Sequence, residues 1–278
     1  MACTEADFAF LRLIVFRHSA NVLDGSRDYL FESRLRPLLN ATGLETLDRL
    51  VESLRQQPDP GLERSIAETM TVNETSFFRD RAPFELMRYE LLPALIRRRE
   101  SSRHLRLWSA ACSTGQETYS LAMMLTEHFP GLRDWQVEIL GTDISADVIA
   151  RSQAGRYGRL EVNRGLPARF LIKYMQRIND EWEVIPTLRR VCRFQQRNLC
   201  SGPLLLEPCD GILLRNVMLY FPLEKRRELL ANMHRILAPD GFLILGSSEL
   251  PGMPGHFQPV LTHNTCYYKP VTRPHHLP

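Results

Sequence analysis

The 278-residue sequence holds no CxxC pair, and none of its cysteines stands near a histidine pair at zinc-ligand spacing. That argues against a structural zinc site, and no metal is expected. The six cysteines (Cys3, Cys112, Cys192, Cys200, Cys209 and Cys266) lie mostly in apolar or strand-like surroundings. A free thiol there behaves as a small hydrophobe, so reduced structural thiols are expected. No apolar run approaches the length of a membrane span, which argues against direct membrane insertion. A short apolar run near the N-terminus follows acidic residues and precedes no small-residue cleavage site. It reads as helix core and not as a signal peptide, so a cytoplasmic location is expected. No internal repeat or low-complexity tract appears. The formal net charge of +3 is too small by itself to imply a nucleic-acid partner.

What is present is an ordinary globular composition, 44% hydrophobic and 24% charged, long enough for one large core or a standard domain with a smaller one. Charge is unevenly spread. Residues 1–80 carry 9 Lys+Arg against 13 Asp+Glu, and residues 81–108 carry 7 against 3, including Arg97-Arg98-Arg99. That run reads as a solvated helix end whose cations complement the dipole, with an anion or RNA patch as the alternative.

Residues 1–80 read as an all-α region. Phe8, Leu11 and Val15 share one helical face; Phe31, Leu35 and Leu38 share a second; Leu47, Leu50, Val51 and Leu54 share a third. Thr46 is placed to cap the third helix, and Pro58-Asp59-Pro60-Gly61 breaks the chain before a fourth. Residues 81–104 form a linking helix that Pro93 should kink or restart. From residue 105 to 278 strands and helices alternate. HLRLWSA, WQVEILGTD, VCRFQQRNL, CDGILLRNVMLYF and GFLILGSS read as five strands, and HFQPVLTHNTCYYKP as a closing hairpin turning near His263-Asn264. Apolar strands alternating with helices imply an α/β fold with a Rossmann-like parallel sheet, to which a C-terminal hairpin adds an antiparallel edge. Residues 156–190 interrupt the rhythm with YMQRINDEWEVI, a hairpin turning at Asn179-Asp180. They read as a small inserted β-subdomain.

Ligands of open parallel sheets bind at the carboxyl ends of the strands. After the first strand comes WSAACSTGQE, a small-residue turn with Gly115; it is not GxGxxG, which argues against a standard nicotinamide site. Asp143 ends the second strand 28 residues beyond Gly115, where an acid serves either ribose hydroxyls or the next helix as N-cap. Arg197-Asn198-Leu199 and Arg215-Asn216 end the third and fourth strands.

NETSFFRD, SAACSTGQETYS, GTDIS, QRNL, LLRNVMLYF and APDGFLILGSSE follow one another in that order. The set resembles the CheR family, the chemotaxis-receptor protein-glutamate O-methyltransferases, over nearly the whole chain. The resemblance implies a class I methyltransferase sheet, S-adenosylmethionine as methyl donor and S-adenosylhomocysteine as product. It implies cofactor contacts from Asn73, Thr75, Arg79, Glu117, Asp143, Asn198, Leu199, Arg215 and Asn216, and a tyrosine, Tyr220, facing the transferred methyl. Where many members read GEEPYS this chain reads GQETYS, so Gln116 and Thr118 replace an acid and a proline while Glu117 and Tyr119 remain.

The resemblance also implies a substrate, glutamates on a chemoreceptor's cytoplasmic coiled coil, with Arg34 and Arg36 as candidates to meet its acidic face. Arg79 is placed to orient the incoming carboxylate, or else to pair with Asp80, Glu74 or the cofactor carboxylate. Arg79 and Tyr220 are thus the candidate catalytic residues. The inserted hairpin RINDEWEVI is short and lacks glycine, so no docking on a receptor's C-terminal peptide tether is expected. A monomer is expected, with no nucleic-acid partner. Methylation of RNA or a small molecule, and a non-catalytic cofactor-sensing adaptor, stand as alternatives.

Overall fold

The computed structural model describes residues 3–250, 255–262 and 265–271. The chain divides into two compact units, Met1–Val72 with Leu219–Lys225, and Asn73–Met218 with Arg226–Pro278.

The first unit is helical. Its first helix, α1 (Glu5–Ser19), opens on a capping box in which Thr4 and Asp7 satisfy each other's backbone N–H. The helices α2 (Tyr29–Arg34), α3 (Arg36–Thr42), α4 (Leu47–Gln56) and α5 (Pro60–Thr69) follow. Leu11, Val15, Phe31, Leu35, Leu50, Val51, Leu54 and Ile66 make the core, so the three predicted faces are the ones buried. The second face spans two helices, because Pro37 stands in the first turn of α3 and restarts the chain. Thr46 occupies the N-cap of α4 without a side-chain cap bond. Asp59 caps α5, accepting the Gly61 and Leu62 N–H groups at 2.8 and 3.1 Å.

The second unit opens on α6 (Ala82–Leu86), a π turn (Met87–Leu91) and α7 (Leu92–Arg98), whose first turn carries Pro93. The restart expected at Pro93 is therefore present. Then come β1 (His104–Ala110), α8 (Gln116–His128), β2 (Gln136–Asp143) and α9 (Ala146–Ala154). The inserted part holds β3 (Arg156–Gly158), α10 (Arg159–Asn163), α11 (Ala168–Tyr174), β4 (Met175–Ile178), β5 (Glu181–Val184) and α12 (Pro186–Arg189). The chain continues through β6 (Cys192–Gln196), β7 (Cys209–Leu214), α13 (Leu223–Ile236), β8 (Leu237–Leu245), β9 (Phe257–Leu261) and β10 (Cys266–Pro270).

Sheet order is β6-β2-β1-β7-β8-β10-β9, with the first five strands parallel and β10 antiparallel to both neighbours. This is a Rossmann-like parallel sheet with an antiparallel C-terminal edge, as the strand rhythm implied. The predicted turn of the closing hairpin, His263-Asn264, lies outside the described residues. The inserted hairpin turns at Asn179 (φ 54°) as expected, and β3 adds a third strand to it. Its three residues are too few for alternation to reveal. The fourth central strand stops at Leu214; Arg215 and Asn216 turn away, and Met218–Tyr220 form a 3₁₀ turn where extended chain was expected. Arg97 and Arg98 lie exposed in the last turn of α7, as the helix-end reading has it, and the run also makes ion pairs that the sequence did not suggest. Arg98 pairs with Asp240, while Arg99 pairs with both Asp210 and Asp240, fastening α7 to β7 and β8. No helix among the described residues is long and apolar enough to cross a membrane.

Candidate active site

The loops at the carboxyl ends of β1, β2, β6 and β7 build one site within the second unit. After β1 the chain passes through Ala111 (φ 59°), Ser113 (φ 51°) and Gly115 (φ 91°) before α8 begins. Such positive φ at non-glycine residues costs on the order of 1–3 kcal/mol each and concentrates at functional sites. At Gly115 even a methyl group fails to fit, since a Cβ would stand 2.9 Å from the Ser152 Oγ. The loop is tied down from two sides. The Ser113 N–H donates to Asp143 Oδ2 at 2.9 Å, and the Ser113 hydroxyl to the Asn73 carbonyl at 2.7 Å.

Asp143 is buried at the end of β2, and its other oxygen accepts the Ser145 N–H at 3.1 Å. The N-cap position of α9 belongs to Ser145, whose own side chain makes no cap bond. The Asp143 carboxylate takes the Ser145 N–H at the start of that helix, so a structural role at the helix start stands beside the cofactor role. Asn198 and Leu199 arrive beside Asp143 because the Arg197 N–H donates to the Asp143 carbonyl at 2.7 Å. Leu199 is buried, and the Asn198 side-chain oxygen accepts the Cys200 N–H.

Glu117, in the first turn of α8, accepts from Ser109 Oγ at 2.7 Å and from Arg215 Nη1 at 2.8 Å. Arg215 Nη2 reaches the NETSFFRD segment, donating to Asp80 at 2.7 Å and to the Arg79 carbonyl at 2.9 Å. The Arg215 side chain is only 2% exposed, and its Nε is buried without a partner among the described residues. A dry guanidinium with one donor unfilled fits an anionic group of a ligand, such as an amino-acid carboxylate.

NETSFFRD itself is locked to this unit. Phe77 is fully buried edge-on to Tyr157, and the Phe78 N–H donates to Ser120 Oγ. Phe78, Asp80 and Arg81 all have positive φ. Arg79 is half-buried, and its Nη1 donates to the Glu74 carbonyl at 2.9 Å. Of the ion pairs weighed for Arg79, those with Asp80 and Glu74 are not formed among the described residues: Asp80 pairs with Arg215 and the Glu74 carboxylate with Arg164. The hydrogen bond and charge of Arg164, with a smaller contribution from the Arg79 charge, lower the Glu74 pKa. Thr75 is half-buried in the same segment.

Sequence reading assigned no role to Glu249, which organises the β7 loop. Buried at 4% exposure, it accepts the Asn216 and Met218 N–H groups at 2.7 Å and that of Gly246 at 2.8 Å. Asn216 is thereby held at φ 60°. The visible signal was an acid closely following the apolar strand LILG, where an unpaired charge would be costly. Cys112 lies within the site but is no nucleophile. Burial, reinforced by Asp143 and Glu117, pushes its thiol well above the ordinary range.

Two predicted groups belong to the helical unit. Tyr220 clusters there, its carbonyl accepting the Val22 N–H at 2.9 Å. Arg34 is not a free surface cation: its Nη1 donates to the Met70 and Thr71 carbonyls at the end of α5. Arg36 is exposed.

Comparison with known proteins agrees with this geometry. Residues 73–266 match the family model for the CheR methyltransferase SAM-binding domain, and residues 6–71 match the CheR all-alpha domain. The chain is 37% identical over 265 residues to chemotaxis protein methyltransferase 1 of Pseudomonas aeruginosa, covering 94% of this chain and 96% of that one. It is 35% identical to chemotaxis protein methyltransferase Cher2 of Pseudomonas putida, with the same coverage. To chemotaxis protein methyltransferase 1 of Vibrio cholerae it is 36% identical over 253 residues, 89% of this chain and 90% of that one.

Proposed function

This chain belongs to the CheR methyltransferase family, and from that premise we propose that it esterifies glutamate side chains on the cytoplasmic coiled coil of bacterial chemoreceptors. It is an S-adenosylmethionine-dependent methyltransferase of chemotaxis; the glutamate target, the receptor and action as a cytoplasmic monomer are the proposed part. Bound S-adenosylmethionine supplies an electrophilic sulfonium methyl; the glutamate oxygen takes it as the C–S bond breaks, giving the methyl ester and S-adenosylhomocysteine.

Support comes first from Arg79, which makes no ion pair among the described residues while Arg164 and Arg215 pair with the two neighbouring acids. It is therefore available to orient an incoming carboxylate through its planar fork. A glutamate side chain, with a reference pKa of about 4.3, is already ionised at neutral pH and needs no general base. Orientation and exclusion of water supply the acceleration, worth on the order of 7–11 kcal/mol in well-aligned systems. Arg79 must hold the carboxylate loosely, since ground-state stabilisation would slow attack. Tyr220 is proposed to position the carboxylate or shape the methyl pocket.

For the cofactor, Asp143, buried at the end of β2, is proposed to accept the ribose hydroxyls, and Asn198 with Leu199 to take the adenine. Arg215, Asn216 and Glu117 attend the methionine end, and Asn73 and Thr75 close the site from NETSFFRD. The ester removes one negative charge from the receptor helix, so the modification acts as a charge switch.

The test is calorimetry with S-adenosylmethionine and S-adenosylhomocysteine, followed by transfer of labelled methyl to chemoreceptor-containing membranes or to RNA. Arg79→Ala should keep both ligands and lose on the order of 10²-fold in transfer. If neither ligand binds the wild-type chain, or RNA takes the label, the reading fails. We further propose that no receptor tether is needed, because RINDEWEVI offers a short, glycine-free edge. Micromolar binding of a receptor's C-terminal pentapeptide would overturn that part.

A further inference from the structure

The basic stretch 81–108 is only partly accounted for by the fold. Arg98 and Arg99 are spent on Asp240 and Asp210, and Arg106 on Glu138. Arg81 and Arg88, with Arg169 from α11, instead ring a cavity of about 140 Å³. None of these three makes an ion pair among the described residues; Arg88 and Arg169 lie over the rings of Tyr89 and Phe170. The floor is aromatic: the Phe78 ring centroid stands 5.1 Å from that of Phe84 and 5.3 Å from that of Phe170.

Size decides what such a cavity can take. Pockets for cofactors and drug-sized ligands run to about 300–1,000 Å³, so this one has room for a single apolar side chain. Its rim decides what must surround that side chain. Glu85 is the one carboxylate in the lining, facing three arginines. The nearby Glu127 is taken by Lys173 and Tyr174. His128, also in the lining, adds no charge at neutral pH, because burial and then Arg88 lower its pKa. The fitting ligand is therefore an apolar anchor flanked by acids, which an amphipathic helix presents at i, i+3 and i+4.

We propose that this cavity is a docking pocket for an apolar side chain on the acidic face of the receptor helix whose glutamates are methylated, a proposal resting on the glutamate reading above. The pocket neighbours the site: Phe78 in its floor and Arg81 on its rim flank Arg79 in the chain, and the Arg215 guanidinium stands 5.9 Å from the Phe84 ring centroid. A helix seated here is held by the same segment that carries Arg79. The three arginines then supply the basic face that Arg34, committed to the end of α5, does not.

The test needs no catalysis. A fluorescein-labelled peptide spanning a receptor methylation helix is titrated with the whole chain and followed by anisotropy. Arg88→Glu with Arg169→Glu should raise the peptide Kd at least about tenfold and leave the S-adenosylhomocysteine Kd unchanged, since the two side chains lie over Tyr89 and Phe170 and make no hydrogen bond or ion pair to the strand-end loops among the described residues. Arg88→Gln with Arg169→Gln should give a smaller loss, and only the wild type should show strong weakening by salt. No peptide binding by the wild type, or an unchanged Kd in both double variants, overturns the proposal. Peptide binding by the wild type without methyl incorporation would count against the glutamate reading and leave the pocket standing.

Discussion

Two arginines stand at opposite ends of β7, and each holds two carboxylates, but they are used differently. At the amino end Arg99 donates from Nε to Asp210 at 2.8 Å, and from Nη1 and Nη2 to the two oxygens of Asp240 at 2.9 and 2.6 Å. All three nitrogens are engaged, and Asp240 is 36% exposed to solvent. At the carboxyl end the Arg215 guanidinium is almost wholly dry against 20% exposure for Arg99, pairs with the buried Glu117 and with Asp80, itself 41% exposed, and keeps Nε unfilled among the described residues. Desolvating an ion pair without filling its donors is the more expensive arrangement. A saturated, wetter clamp is what a fold needs merely to fasten a helix; a dry, unsaturated one is what a site keeps for a ligand. The backbone leans the same way: of the nine non-glycine residues with positive φ among the described residues, six (Ala111, Ser113, Phe78, Asp80, Arg81 and Asn216) belong to the loops around Arg215 or to the segment it holds, and one, Arg103, lies at the Arg99 end.

The comparison is broken most directly at Arg215. Arg215→Met strands the buried Glu117 carboxylate and releases Asp80 and the Arg79 carbonyl, which should cost about 3–5 kcal/mol in stability. S-adenosylhomocysteine affinity should fall with it, because NETSFFRD loses its tie to β7. Urea unfolding monitored by far-ultraviolet dichroism measures the first and calorimetry the second. A loss of under about 1 kcal/mol would show the pair to be wetter than the geometry implies.

Glu249→Gln comes next. The carboxylate accepts three backbone N–H groups through two oxygens, and the amide offers only one oxygen. At least one buried N–H is left unsatisfied, at about 1–3 kcal/mol. Because the affected groups hold Asn216 at φ 60°, cofactor Kd should rise together with the stability loss. A stability loss with unchanged cofactor affinity would confine Glu249 to the fold.

Much of this was legible beforehand, and the remainder has a common cause. The positions of the strands along the chain, the closing hairpin and the inserted hairpin follow from periodicity, which is local. The polar ends of the strands stood out because each interrupts an apolar run. Partnerships over long sequence distance did not: Arg99 finds Asp210 and Asp240, and Arg215 finds Asp80, across more than a hundred residues. No local pattern encodes such pairs, so Arg97-Arg98-Arg99 resembled a solvated helix end and Arg34 a surface cation. Glu249 sat in plain view within GSSE, yet its targets are backbone amides, which carry no sequence signature.

The smallest effect, and the one that sharpens the contrast, belongs to the wetter clamp. The Arg99 hydrogen bonds, aided by the charges of Arg99 and Arg98 and opposed by burial, hold the Asp240 carboxyl below the ordinary carboxylate range. A carboxylate whose folded pKa lies below its unfolded value of about 3.9 contributes stability above that value and loses it as pH falls through the folded pKa. Asp240→Asn should therefore cost at most about 1 kcal/mol at neutral pH, because more than a third of the side chain meets water. The gap to wild type should close progressively below pH of about 4, and should narrow in about 1 M salt, where charges are screened beyond roughly 3 Å. The part of the Arg215→Met deficit that comes from Glu117 should survive the same salt, since that carboxylate is only 11% exposed and screening ions do not reach it. Urea midpoints of both variants at neutral pH, with and without salt, and of Asp240→Asn down the acid limb decide the matter. Equal salt sensitivity in the two would mean that the ends of β7 differ in position and not in kind.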